Sequence, residues 1–161
     1  KPLVPTEKNK IMNDSENNLC LGKVTIDNEI FNIIEGRLSF TPKEEFYLIN
    51  FWIKSEDCDS KNNVFPPTIE ILMKTKVDLL KTNSLKLEIP SMKEAGDEWQ
   101  VNYATGYYDG IHQNFIDAKI EISKIEENLY SVEFSGIPEM YRSVKGSCKL
   151  ELNNELIMIW D

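Results

Sequence analysis

From Leu19 onward the chain alternates apolar and polar residues, and no stretch repeats its apolar positions every 3.6 residues. In "GKVTID" Val24 and Ile26 share one face, and Asp27-Asn28 suits a two-residue hairpin turn into "EIFNIIEG". Gly36 separates that run from "RLSF", and Pro42 with its charged neighbours ends the strand. In "EFYLINFWIKS" Tyr47, Ile49, Phe51 and Ile53 lie on one face, with Phe46, Leu48, Asn50 and Trp52 on the other. Both faces are largely apolar, as in a strand covered on two sides.

After the polar "EDCDSKNNVFPP", the runs "TIEILMK", "VDLLKT" and "SLKLEIP" read as three short strands, a helical turn from Val77 to Leu80 being the alternative for the second. "SMKEAGDE" is a loop. Beyond it Trp99, Val101, Tyr103 and Thr105 alternate with Gln100, Asn102 and Ala104, and Trp99 and Tyr103 are expected to fill the core. Ile116, Ala118, Ile120 and Ile122 form the apolar face of the next strand, and Glu126-Glu127-Asn128 turns into one carrying Tyr130, Val132 and Phe134. Gly136 and Pro138 break it. Val144, Gly146, Cys148, Leu150 and Leu152 then alternate, and Asn153-Asn154 turns into "ELIMIWD".

Many short strands with short connections predict an all-β, single-domain antiparallel β-sandwich of about 8–10 strands; the alternative is a closed up-and-down barrel, lipocalin-like in form. The 161 residues suit one domain, placed at residues 18–161. Residues 1–17, "KPLVPTEKNKIMNDSEN", are polar with two prolines and read as a flexible N-terminal lead-in or tether. Its Asn13-Asp14-Ser15 is short enough to be a chance sequon. An extracytoplasmic, lipoprotein-like placement is favoured if Lys1 follows a removed leader.

Charge narrows the partners. The 27 acidic against 18 basic residues give a formal charge of -9, a field that repels phosphate backbones and anionic lipid. Nucleic acid is therefore not an expected partner. Membrane insertion is not expected either, since no apolar run approaches the roughly 18 residues of a spanning helix.

Candidate chemistry is sparse. The single histidine, His112, cannot build a multi-histidine metal site, and neither a GxSxG elbow nor a phosphate-binding glycine motif is present. Asp57, Asp59 and Asn62 in "EDCDSKNN" resemble only the opening ligands of a calcium loop, because Lys61 occupies the third ligand position and the turn glycine is missing. No cofactor is expected. The three cysteines, Cys20, Cys58 and Cys148, lack metal spacing; Cys20 and Cys148 lie in alternating runs and are expected to be buried, although one disulfide remains open.

The densest group of recognition-type side chains is "ATGYYDGIHQNF". Tyr107, Tyr108, Asp109, His112, Gln113 and Asn114 combine rings with short polar groups around a Tyr108-Asp109-Gly110 turn. The leading functional expectation is a non-catalytic acidic binding protein, of inhibitor or immunity type, that recognises a basic protein. A β-domain binding a small molecule or glycan in a barrel mouth is the second. The third is a carboxylate-dependent hydrolase, with Asp97, Glu98 and Asp109 as its candidate acids.

Overall fold

The structure, a computed structural model, describes residues 20–56, 67–89, 103–108, 111–140 and 143–153. The expectations for residues 1–17, for the calcium candidates, for the strand at Trp99 and for "ELIMIWD" lie outside the described residues.

Nine strands are described: β1 (Gly22–Ile26), β2 (Glu29–Pro42), β3 (Tyr47–Ser55), β4 (Thr68–Thr75), β5 (Ser84–Ile89), β6 (Tyr103–Tyr108), β7 (Ile111–Glu126), β8 (Leu129–Pro138) and β9 (Val144–Glu151). All belong to one antiparallel sheet in the order β5-β7-β6-β4-β3-β2-β1-β9-β8. A further pairing of β7 with β8 brings this order back on itself, so the sheet is ring-like. The all-β antiparallel class follows the alternation; hydrogen bonding makes the nine strands one continuous sheet.

The hairpins form where the local chemistry calls for them. Asp27 adopts φ 54 between paired Ile26 and Glu29, and Asn128 adopts φ 67 just before Leu129, which pairs with Glu126. Short polar side chains tolerate this left-handed region better than apolar ones do. In the stretch read as the strand "VDLLKT", a 3₁₀ turn spans Leu79–Lys81, the alternative reading. The Asp78 side chain accepts the Leu80 N–H at 3.0 Å, which stabilises the turn, and Leu79 is buried.

Two of the expected strands change at β-bulges. In β2, Ile33 pairs with Ser55 while Glu35 pairs with Lys54, leaving Ile34 as an extra residue. The strand therefore runs on through Gly36 instead of ending there, and its buried positions pass from Phe31 and Ile33 to Leu38 and Phe40. In β7, Phe115 pairs with Pro138 and Asp117 with Ile137, leaving Ile116 extra. The inward set becomes Gln113 and Phe115, then Ala118, Ile120 and Ile122. Ile116, expected inside with the other three, is 50% exposed because an added residue reverses a period-two strand.

The buried apolar side chains of the described residues form one cluster. Phe51 of β3 meets Phe134 of β8 with ring centroids 5.2 Å apart, and Phe31 of β2 meets Tyr108 of β6 edge-on at 5.7 Å. Ala104 and Gly106 face inward from β6, opposite Ile71 and Ile69 of β4. Small residues opposite large ones fill the space at constant volume. Tyr103, expected to fill the core, therefore falls on the outer face and is only half-buried.

Gly136 of β8 lies against the Phe115 ring: a Cβ there would stand 2.4 Å from Cδ2 and 2.6 Å from the Asp117 carbonyl. Because that carbonyl is backbone, a side chain at this position forces the closing β7–β8 pair apart. Gly136→Ala should lower unfolding stability by about 1–3 kcal/mol; an unchanged urea midpoint would show that the closure tolerates the added methyl.

Candidate interaction surface

The β6–β7 hairpin separates the predicted recognition residues onto different faces. Pairing of Tyr107 with His112 and of Tyr108 with Ile111 places the strands on either side of positions 109 and 110, which lie outside the described residues together with the candidate Asp109. Tyr107 and His112 are exposed, and their rings lie 5.4 Å apart. Tyr108 instead packs its ring edge-on against Phe31, and its hydroxyl donates to the Glu29 carboxylate. It joins the hairpin end to β2 and is a structural residue.

Gln113 is 3% exposed, and its Oε1 accepts the Met140 N–H at 2.9 Å. Beside it, the Asn114 N–H donates to Glu139 Oε1 at 3.2 Å, and the Glu139 N–H donates to the Asn114 carbonyl at 3.1 Å. These bonds fasten the segment after β8 to β7. Gln113 and Asn114 thus position the surface around them, with Asn114 half-exposed beside it.

Of the exposed residues around them, Tyr107 was a sequence candidate, whereas Ile116, Ile137 and Met140 were not. Tyr107, Ile116, Ile137 and Met140 are between 40% and 63% exposed. Ile137 lies on the strand next to the Ile116 bulge, and Met140 is held beside Gln113. With His112 they border the β6–β7–β8 end of the sheet, and Asp117 and Glu139 add exposed carboxylates among them. One sequence signal pointed here. The apolar pair Phe115-Ile116 before Asp117 in "NFIDA" is compatible with an added residue, because Phe115 and Ala118 share a face only when the strand gains one.

Other candidate chemistry resolves in different ways. Cys148 is buried, and that burial pushes its thiol up to about 12, away from thiolate chemistry at neutral pH. Cys20, expected to be buried, is exposed, since it precedes β1 and lies outside the alternating pairs; both thiols are free. Among the described residues, no group of three His, Cys, Asp or Glu side chains is placed to hold a metal, and no helix is long and apolar enough to cross a membrane. Asp57, Asp59, Asn62, Cys58, Asp97 and Glu98 lie outside the described residues. A recess beside Gln113, Phe115 and Tyr108 holds about 20 Å³, room for a water molecule and far too little for a sugar ring.

On the outer face, Glu70 accepts a hydrogen bond from Tyr103 Oη and one from Asn50 Nδ2, each at 3.4 Å. Burial, followed by the charge and hydrogen bond of Glu70, pushes the Tyr103 hydroxyl up to about 12. No protein-family model matches the chain, and neither a curated protein nor a solved structure matches it.

The folded chain holds the Tyr103 and Cys148 protons more tightly than the unfolded chain, whose groups titrate near 10 and 9. Their contribution to stability is therefore complete below about pH 9 and is lost as pH rises toward about 12. Thermal unfolding followed from pH 8 upward should show this fall, and Tyr103→Phe should flatten its upper part.

Proposed function

We propose that this protein is a non-catalytic binding module that recognises a basic protein through the Tyr107, His112, Ile116, Ile137 and Met140 surface. The observation carrying this reading is the exposure of four large apolar side chains on a surface fastened by Gln113 and Asn114. Rings and aliphatic groups of this kind supply the desolvated centre of a protein interface, while Asp117 and Glu139 supply a polar rim. The formal charge of -9 adds long-range attraction for a cationic partner, which raises the association rate more than the final affinity.

The hairpin geometry also selects the variants. Tyr108→Ala would open the core contact with Phe31, so loss of binding in that variant would not locate a surface. The triple variant Tyr107→Ser, Ile116→Ser, Met140→Ser alters exposed groups and leaves the Phe31–Tyr108 and Phe51–Phe134 contacts in place.

Affinity capture from the source organism should retain a basic protein on the wild-type chain and lose it on the triple variant. The measured association rate should fall several-fold as ionic strength rises from about 0.05 to about 0.5 M, as the Debye length shortens. A partner retained by the triple variant, or an association rate indifferent to salt, would remove this reading.

A further inference from the structure

The outer face of β1, β9, β8, β7 and β5 forms a second, chemically different surface, an open concavity of about 630 Å³. Cross-strand pairing orders its side chains in two rows. One runs Thr25, Lys145, Ser135, Lys119, Glu88; the other runs Lys23, Ser147, Glu133, Glu121, Lys86. The chain as a whole carries 27 acids and 18 bases, yet this groove is lined by four lysines and three glutamates. Its charge balance is the reverse of the protein's.

The arrangement within the rows is specific. Lys119 and Lys145 are the cross-strand partners of Ser135 from its two sides, so their Cα atoms are about 10 Å apart with a hydroxyl between them. Neither lysine makes an ion pair among the described residues. In the neighbouring row Glu121 and Glu133 stand directly opposite each other, a like-charge pairing that costs stability in a bare sheet. Lys86 approaches Glu121 at 3.9 Å, and Lys23 donates to Asn32 at 2.7 Å.

We propose that this groove binds an acidic oligosaccharide. A sugar carboxylate or sulfate placed over Ser135 meets the Lys119 and Lys145 ammonium groups and the serine hydroxyl. Ring hydroxyls displaced along the strand by two residues donate to Glu133 and Glu121, the acceptors that lack a full set of partners. A simple inorganic anion is repelled by those carboxylates and is too small to reach both the Lys119–Lys145 pair and the neighbouring glutamate row with separate hydroxyl donors. Five strands span about 20 Å, the length of a short saccharide chain. This surface does not depend on the protein-binding reading, because it uses the opposite chemistry and different residues.

The test is an NMR titration of the full chain with a galacturonate tetrasaccharide, alongside neutral maltotetraose, inorganic phosphate and a single-stranded DNA oligomer. The acidic sugar should shift the amide signals of Lys119, Ser135 and Lys145, with binding that weakens as salt rises. Lys119→Ala with Lys145→Ala should weaken it about fivefold or more at unchanged circular dichroism. Glu133→Gln should weaken it while leaving the salt dependence in place, which a site selecting charge alone would not do. The proposal fails if maltotetraose binds equally well, if phosphate produces the same shifts, if the DNA binds more tightly than the sugar, or if no signal moves at about 10 mM sugar.

Discussion

The strand β7 is shared among neighbours, and the fold depends on that sharing. Along one edge its first residues pair with β6 and its later ones with β5, while its other edge pairs with β8. The last pairing returns the sheet to its beginning. A sheet that returns on itself satisfies backbone groups that an open sheet leaves exposed at its edges, and it faces its apolar side chains toward one another. The contacts of Phe51 with Phe134 and of Phe31 with Tyr108, formed between strands remote in sequence, are the packing result.

One extra residue makes this sharing possible. A strand long enough to meet three partners must bend and twist, and the bulge at Ile116 provides both where pairing with β6 has ended and pairing with β5 has not begun. Gly136, beside the Phe115 ring, removes the side chain that would obstruct the bend. The same bulge turns Ile116 outward. Closure and the candidate interaction surface thus have one physical origin, and the exposed isoleucine is a consequence of completing the sheet.

Beyond the bulge, the outward residues of β7 change from His112, Asn114 and Ile116 to Asp117, Lys119 and Glu121. An apolar end and a charged groove therefore follow one another along a single strand. Burial removes apolar surface where partners are large, whereas ammonium and carboxylate groups keep their hydration best on a broad open face. That division gives one small domain two surfaces of different chemistry.

Alternation and turn chemistry alone determined the antiparallel class, the hairpins at Asp27 and Asn128, and the inward sets of β1, β8 and β9, because each follows from two-residue periodicity within a short segment; in β3 both faces are apolar, and the structure decided which one packs inward. The burial of Val24, Tyr130 and Val144 needed no knowledge of distant partners. The candidate site was only half legible: Tyr107 and His112 lie together on the surface, but Tyr108 and Gln113 turned inward, and Ile116, Ile137 and Met140 looked like ordinary core positions or turn residues. Only the tertiary structure decided these. Which strand pairs with which, and where an extra residue interrupts the register, depends on partners far along the chain, and one such residue reverses the facing of everything after it.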